Sequence, residues 1–239
     1  MTGRTEYSAG PAAAYDKLDP GLLPGLGPHL GQGPTAHHGM ADIAAVGEDD
    51  VVFVSGAVGG VGSPAGQIAR CRGAARVIGS AGSPAKAAYL VNELGFDAAF
   101  DHHDGSPADR LQELAPEGIS VFFDVVGGER YDAALRAARP GARFALCGSL
   151  SSRLGDAADR FPGPDRAAAE AGGVDLLPFS CHHTPEQTEA WQRHFRTRLG
   201  EGRLVHPRTV VEGGIEDVPG AFLSLPQGAH RGNVSVRLS

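Results

Sequence analysis

Short apolar segments alternate with helix-like segments between residues 51 and 147, and this alternation most narrows the folds open to the chain. The run VVFVS at 51–55 is typical of a strand buried on both faces. The pattern then predicts helices at 62–71, 84–94, 107–115 and 129–138, with strands at 76–79, 98–101, 119–126 and 142–147 between and after them. Strand and helix alternating in this way indicate an α/β fold: a doubly wound parallel sheet of the Rossmann type.

The segments outside this alternation are less regular. A helix is predicted at 35–46, a strand at 174–179 and a long helix at 185–199. The C-terminal part reads as a strand at 208–211, a short helix at 215–223 and a strand at 234–238, and it does not continue the pattern. The first 30 residues are rich in Gly and Pro and predict loops.

A glycine-rich turn, SGAVGGVGSPAGQIAR, follows the first predicted strand. Gly56, Gly59, Gly62 and Gly66 recur where the chain must turn sharply into a helix, and the helix N-terminus then offers free N–H groups to a pyrophosphate. We expect a side chain at Gly62 to occupy the space that the pyrophosphate needs. The strand before and the helix after favour a dinucleotide site over a glycine-rich turn without a ligand.

The loop after the second predicted strand bears on the choice of dinucleotide. An NAD site places Asp or Glu here for the ribose 2′-hydroxyl, whereas this chain has GSAGS followed by Lys86. A small polar loop with one cation suits the 2′-phosphate of NADP(H), and the alternative is that Lys86 is a solvated helix residue. The absent acid also argues against a methyltransferase that uses S-adenosylmethionine.

Composition and missing motifs exclude several other functions. A formal net charge of −7 leaves no basic face for nucleic acid, and no apolar run is long enough to cross a membrane. The three cysteines are widely spaced and predict free thiols in a reducing cytoplasm. The YxxxK, HExxH, GxSxG and Walker A motifs are absent. Three adjacent His pairs are poor chelates, because neighbouring residues on a helix or strand point apart, so we expect no metal site.

Several stretches together resemble the zinc-independent medium-chain dehydrogenase/reductases, in the branch of the prostaglandin reductases and alkenal (enone) double-bond reductases. They include EYSAGPAAAYDKLDP, GPTAHHGMADI, VSGAVGGVGSPAGQIAR, FDVVGGERYDAAL, GARFALCGSLS and the tail from RLVHPRTVV onward. The resemblance covers essentially the whole chain. It implies an NADPH-dependent reductase of enones, alkenals or quinones, and a homodimer is a family expectation.

The resemblance also implies the positions that contact the cofactor. They are Gly59, Gly60, Val61, Gly62, Lys86, His102, Val125, Cys147, Gly148, Ser149, Leu150, Ser151, Phe179, Ser180, Cys181 and His230. Three of these positions differ from the family pattern, and so does Arg153, which follows Ser151 in the chain. His102 replaces a Tyr, Val125 replaces an Asn, and His230 replaces an Asn. Arg153 replaces the Tyr expected to hydrogen-bond the substrate carbonyl, and its guanidinium could stabilise an oxyanion there.

By the same resemblance, residues 1–30 are the remnant of an N-terminal GroES-like domain with its linker. Residues 31–205 are then the NADP-binding Rossmann domain, and residues 206–239 are the return segment to the catalytic domain. Three explanations would account for the missing remainder of the GroES-like domain: a displaced gene start, a partner chain that supplies the cleft wall, or a drift away from catalysis. The alternative function is therefore a catalytically impaired NADP-binding module or a subunit of a larger reductase assembly.

Overall fold

The computed structural model describes residues 10–11, 23, 27–148, 150 and 163–238. Its main sheet has six strands, all paired in parallel, with the bounds β1 (Val51–Val54), β2 (Arg76–Ala81), β3 (Ala98–Asp101), β4 (Ile119–Asp124), β5 (Ala138–Leu146) and β6 (Asp175–Pro178). Their spatial order is β3-β2-β1-β4-β5-β6. This order is that of a Rossmann sheet, so the predicted fold class is confirmed.

The helices connect these strands and extend the chain on either side. Their bounds are α1 (Gln32–His38), α2 (Gly62–Cys71), α3 (Pro84–Leu94), α4 (Pro107–Leu114), α5 (Glu129–Arg136), α6 (Arg166–Ala171), α7 (Pro185–Gly200) and α8 (Val218–Leu223). A π-helical segment at Gly39–Ile43 continues α1, and short 3-10 turns lie at Gly27–His29 and Ile215–Asp217. The helix predicted at 35–46 therefore starts earlier and changes its winding halfway.

Successive residues of the central strands point to opposite faces of the sheet, and each face has its own core. Val52 packs in the cluster that contains α1, α2 and Trp191 of α7, whereas Phe53 packs in the cluster on the other side. Phe53 and Phe122 stack there with ring centroids 5.1 Å apart. Burial on both faces explains why β1 and β4 read as continuous apolar runs.

Strand β5 differs from its prediction. It starts at Ala138, four residues before the predicted start at 142. The sequence Arg-Pro-Gly at 139–141 reads as a turn, but the sheet accommodates it through a register shift between β4 and β5 and a positive φ of 81° at Gly141. Its amide donates to the carbonyl oxygen of Gly173, 2.8 Å away, which ties this irregular stretch to the next connection.

The C-terminal segment forms a separate two-stranded sheet. Strands β7 (Arg208–Glu212) and β8 (Asn233–Arg237) pair in parallel, and this small sheet is outside the main alternation, as the sequence predicts. It nevertheless reaches the glycine-rich turn, because Gly59 and Gly232 form an isolated parallel bridge. The amide of Gly232 donates to the carbonyl oxygen of Val58 at 2.8 Å.

Candidate functional site

A cavity of about 370 Å³ opens at the carboxyl ends of β1, β2 and β4. The strand order of the sheet reverses between β1 and β4, and in open α/β sheets this switch point is where ligands bind. Its walls come from the strand ends, the first residues of two helices and the C-terminal segment. The lining residues are Gly56, Val58, Gly59, Ser80, Ala81, Gly82, Lys86, His102, Val125, Val126, Arg130, Leu150, Leu225, Pro226, Gly228 and His230.

A buried hydrogen-bond network joins the ends of β1 and β4 beneath this cavity. The Ser55 hydroxyl donates to the Asp124 carboxylate at 2.9 Å and accepts the amide of Val125 at 2.8 Å. The same carboxylate oxygen of Asp124 accepts the amide of Gly127 at 2.8 Å. Because Ser55 and Asp124 are almost fully buried, this network fixes the loop that carries the β4 side of the cavity.

The glycine-rich turn contributes Gly56, Val58 and Gly59 to the cavity wall. The structure gives Gly62 a reason besides the predicted space for a pyrophosphate, because a Cβ there would overlap the carbonyl oxygen of Gly56 and lie 2.9 Å from the Cα of Ala57. Gly62 is thus required by the packing of the turn on itself. Gly60 has a similar local reason, since its Cβ would overlap the amide oxygen of Asn233.

Val61 is the N-cap residue of α2, has no side-chain cap hydrogen bond and packs against the core. The residues Gly60, Val61 and Gly62 are therefore next to the cavity in sequence but are not among its lining residues.

The loop after β2 forms the second side of the cavity. Ser80 is 1% exposed, and its hydroxyl has no hydrogen-bond partner in the described part of the chain although it lines the cavity. Lys86 is held at this side, because its ammonium group donates to the carbonyl oxygen of Gly228. Burial lowers the pKa of Lys86, and the nearby charge of Arg231 lowers it further. A buried hydroxyl without a partner beside a cation suits a ligand oxygen.

His102 follows β3 and also lines the cavity. Burial lowers the pKa of its imidazole to about 4, with a smaller contribution from the charge of Arg130. The imidazole is therefore neutral near pH 7 in the ligand-free protein.

The adjacent His102 and His103 do not point apart as expected, because they lie in a turn, and their ring centroids are 4.1 Å apart. With Asp101 they form a group whose possible ligand atoms all lie within 4.8 Å of one another. His103 and Asp101 already share a hydrogen bond of 3.1 Å.

The ends of β5 and β6 hold a second set of predicted residues. Cys147 follows β5, and its thiol is free. Burial raises the pKa of this thiol to about 12, and the nearby Cys181 adds to the rise. Phe179 packs beside Phe123 with ring centroids 6.1 Å apart.

Gly148 approaches β4 closely, because a Cβ there would stand 2.9 Å from the carbonyl oxygen of Val125. The hydroxyl of Ser180 accepts the amide of His182 at 3.0 Å. These residues after β5 and β6 share the carboxyl edge of the sheet with the cavity, and none of those named here is among its lining residues.

The structure brings six predicted residues together around the cavity: Gly59, Lys86, His102, Val125, Leu150 and His230. His230 is positioned by a hydrogen bond of 2.6 Å between its Nε2 and the Ser224 hydroxyl. Ser149, Ser151 and Arg153 lie outside the described residues.

Sequence reasoning missed Arg130 and the segment that contains Leu225, Pro226 and Gly228. Arg130 could have been found from its position after β4, because residues after the carboxyl end of that strand face the switch point.

Comparisons with known proteins agree with this architecture. The family model described as "Zinc-binding dehydrogenase" matches residues 60–165. YfmJ of Bacillus subtilis is 35% identical over 240 residues, which are 98% of this chain and 70% of that protein. Bovine prostaglandin reductase 1 is 35% identical over 209 residues, or 86% of this chain and 62% of that protein.

A crystal structure of CurA in complex with NADPH, from Vibrio vulnificus, matches with a TM-score of 0.79 at 32% identity. The alignment covers 87% of this chain and 62% of CurA. The chain thus spans between 62% and 70% of the length of these three proteins. None of the described helices has both the length and the apolar character that crossing a membrane requires.

Proposed function

The chain belongs to the medium-chain dehydrogenase/reductase family, and on that premise we propose that it binds NADPH in the switch-point cavity and reduces activated C=C bonds of enones and alkenals, or quinones. One observation carries this proposal: none of the described residues that line the cavity is a carboxylate, whereas Lys86 and Arg130 are cations. An NAD site would need an acidic residue for the ribose 2′-hydroxyl, and a cationic cavity instead favours the 2′-phosphate.

The residues present fit this cofactor. Gly59 leaves the backbone of the turn open to the cavity, and the partnerless hydroxyl of Ser80 is available to a ribose or phosphate oxygen. The solved relative named above contains NADPH, and the bovine relative is named as a reductase. We propose that residues 31–205 are the cofactor-binding unit, with residues 1–30 and 206–239 belonging to a second domain.

When bound, NADPH supplies the hydride that adds to the β-carbon of the substrate. The chain has to position the reactants and stabilise the negative charge that develops on the carbonyl oxygen. Cys147, Gly148, Phe179 and Cys181, at the ends of β5 and β6, are the residues we assign to the nicotinamide end. Arg153 is the group we assign to the oxyanion, because a guanidinium stabilises negative charge without donating its proton at neutral pH.

The first test is a titration of NADPH and NADH into the purified chain. One charge-assisted contact with a phosphate contributes about 1.5–3 kcal/mol, so NADPH should bind roughly 10- to 150-fold more tightly than NADH. The variant Lys86→Ala should lose most of this preference. Arg110→Ala should keep it, because Arg110 is a partly exposed residue of α4 that pairs with Glu113 and does not line the cavity. Equal affinities of the wild type for the two cofactors would contradict the proposal.

The second test is the decay of NADPH absorbance with a panel of alkenals, enones and quinones. Turnover that falls in Arg153→Ala supports the reductase. Tight NADPH binding without turnover on any member of the panel would instead support the alternative, a non-catalytic NADP-binding module.

A cytoplasmic location and a homodimer belong to the same proposal. The described cysteines are all free, which suits a reducing compartment. Light scattering coupled to size exclusion, with and without NADPH, tests the dimer.

A further inference from the structure

Arg130 is the second cation of the cavity, and nothing in the family resemblance points to it. It is the second residue of α5, which begins five residues after the end of β4. Its side chain is half-buried and lines the same cavity as Lys86 and Ser80. The helix therefore places a guanidinium where the loops after β2, β3 and β4 meet.

The charge of Arg130 is only weakly compensated by the protein. Within the described ranges, no carboxylate lies within ion-pair distance of its guanidinium. The neighbouring Glu129 and, to a smaller extent, Asp124 influence it electrostatically. One oxygen of the Asp124 carboxylate already accepts hydrogen bonds from Ser55, Val126 and Gly127. A half-buried cation without a close partner is costly, and a ligand anion would offset that cost.

His102 lines the same cavity as Arg130 and contacts the end of β2, just before the helix α3 that carries Lys86. The charge of Arg130 acts on the imidazole of His102. The backbone amide of His102 donates to the carbonyl oxygen of Ala81 at 3.0 Å, and its ring carbon Cε1 lies 3.4 Å from the point where a Cβ of Gly82 would stand. His102 therefore stands between Arg130, whose charge acts on it, and the β2 side of the cavity.

Charge balance then favours one part of the cofactor. A phosphate monoester carries a charge of about −1.5 to −2 at pH 7, and each phosphate of the pyrophosphate carries about −1. A single lysine leaves part of the 2′-phosphate charge without a partner, whereas Lys86 and Arg130 together match it. We propose that Arg130 is a specificity-determining residue that binds the 2′-phosphate of NADPH together with Lys86. This proposal rests on the proposed function, since it names a group of that same site.

The experiment compares ligands that differ only in the 2′-phosphate. Affinities for NADPH, NADH, 2′,5′-ADP and 5′-AMP are measured by calorimetry on the wild type and on Arg130→Gln. Losing one charge-assisted contact should weaken NADPH and 2′,5′-ADP about tenfold or more. Binding of NADH and 5′-AMP should change by less than about twofold, because neither carries the 2′-phosphate that Arg130 is proposed to bind.

Two further variants complete the design. Arg136→Gln removes an exposed arginine of the same helix and should leave all four affinities unchanged. Arg130→Lys should recover part of the affinity for the two ligands that carry the 2′-phosphate, because it restores the charge but not the planar fork. Thermal unfolding of each variant shows whether the fold is retained, and Arg130→Lys serves as the test if Arg130→Gln does not fold.

The outcomes separate this inference from the proposed function. Equal weakening of all four ligands in Arg130→Gln would place the guanidinium at the adenine or the 5′-phosphate and overturn the inference. Unchanged binding of all four would overturn it too. Failure of the wild type to bind NADPH at all would instead count against the proposed function.

Discussion

The hydroxyl of Ser55 is fully buried beneath the cavity and holds the loop after β4, so Ser55→Ala is the most informative single change. In the folded protein this hydroxyl accepts the amide of Val125 at 2.8 Å and donates to Asp124 at 2.9 Å. The hydroxyl also accepts the amide of Val126 at 3.2 Å. Alanine removes all three bonds and leaves the Val125 amide without that partner. The amide of Val126 keeps a bond of 3.1 Å to Asp124. The hydrogen bonds that are lost are therefore those that hold the loop lining the cavity.

The expected loss of stability can be estimated from these hydrogen bonds. A buried amide that loses its partner costs about 1–3 kcal/mol, so we expect the free energy of unfolding to fall by about 2 kcal/mol. For a chain of this length, that corresponds to a decrease in Tm of about 4–8 °C. Because Val125 and Val126 line the cavity, we also expect NADPH to bind roughly tenfold more weakly.

The opposite edge of the sheet supplies a matched control. Ser120 is also buried, donates to the Asp50 carboxylate at 2.7 Å and accepts the amide of Val51 at 3.0 Å. It joins the amino ends of β1 and β4, far along both strands from the cavity. The variant Ser120→Ala should lower Tm by a similar amount and leave NADPH affinity unchanged.

Thermal unfolding and NADPH titration of both variants test the reasoning. A loss of affinity in Ser120→Ala as large as in Ser55→Ala would mean that general destabilisation weakens binding. Unchanged affinity in Ser55→Ala, despite a lower Tm, would show that the network at the carboxyl edge does not shape the cavity.

Two other expectations concern stability. Gly62→Val should destabilise the fold by several kcal/mol, because its Cβ would overlap the carbonyl oxygen of Gly56, whereas Gly200→Ala, with open space around it, should be neutral or stabilising in the same urea unfolding experiment. Burial lowers the pKa of His194 from 6.5 to about 4, with smaller contributions from His37 and nearby arginines. Between about pH 6.5 and pH 4 the unfolded chain binds a proton that the folded chain excludes, so the free energy of unfolding falls as the pH is lowered. Urea unfolding at pH 7 and pH 5 should show a smaller loss in His194→Gln than in the wild type, and equal losses would show that another group is responsible.

Local signals explain which elements could be predicted from the sequence. The bounds of α3 agree with the prediction, because Ser83 caps the helix, Pro84 occupies its first turn and Gly95 ends it with a φ of 71°. The predicted start of β5 was wrong, because Pro140 and Gly141 are typical turn residues. In the structure they still belong to the strand, since pairing with β4 continues across a register shift. Pairing with a neighbour is a long-range effect that no local window contains.

The difference between local sequence signals and long-range contacts also explains which residues of the site could be predicted. Gly59 and Lys86 lie in a strand-turn-helix pattern that is readable from the sequence, and both line the cavity. Arg130 was missed because a charge in the first turn of a helix is common on solvated surfaces, and only the tertiary fold turns this one inward. The part of the cavity wall around Gly228 was missed because Gly228 is 142 residues away from Lys86 in the sequence. Only the fold brings its carbonyl oxygen to the ammonium group of Lys86.

The C-terminal segment is therefore part of the wall of the switch-point cavity. Gly232 donates to the carbonyl oxygen of Val58 within the glycine-rich turn, and Gly228 binds Lys86 from the other side of the cavity. A ligand that lies between the turn and this segment contacts both, so its binding stabilises the arrangement in which they meet by RT ln(1 + [L]/Kd). Under the proposed function, we therefore expect cofactor affinity to depend on the contact between residues near 58 and residues near 230 as well as on the glycine-rich turn.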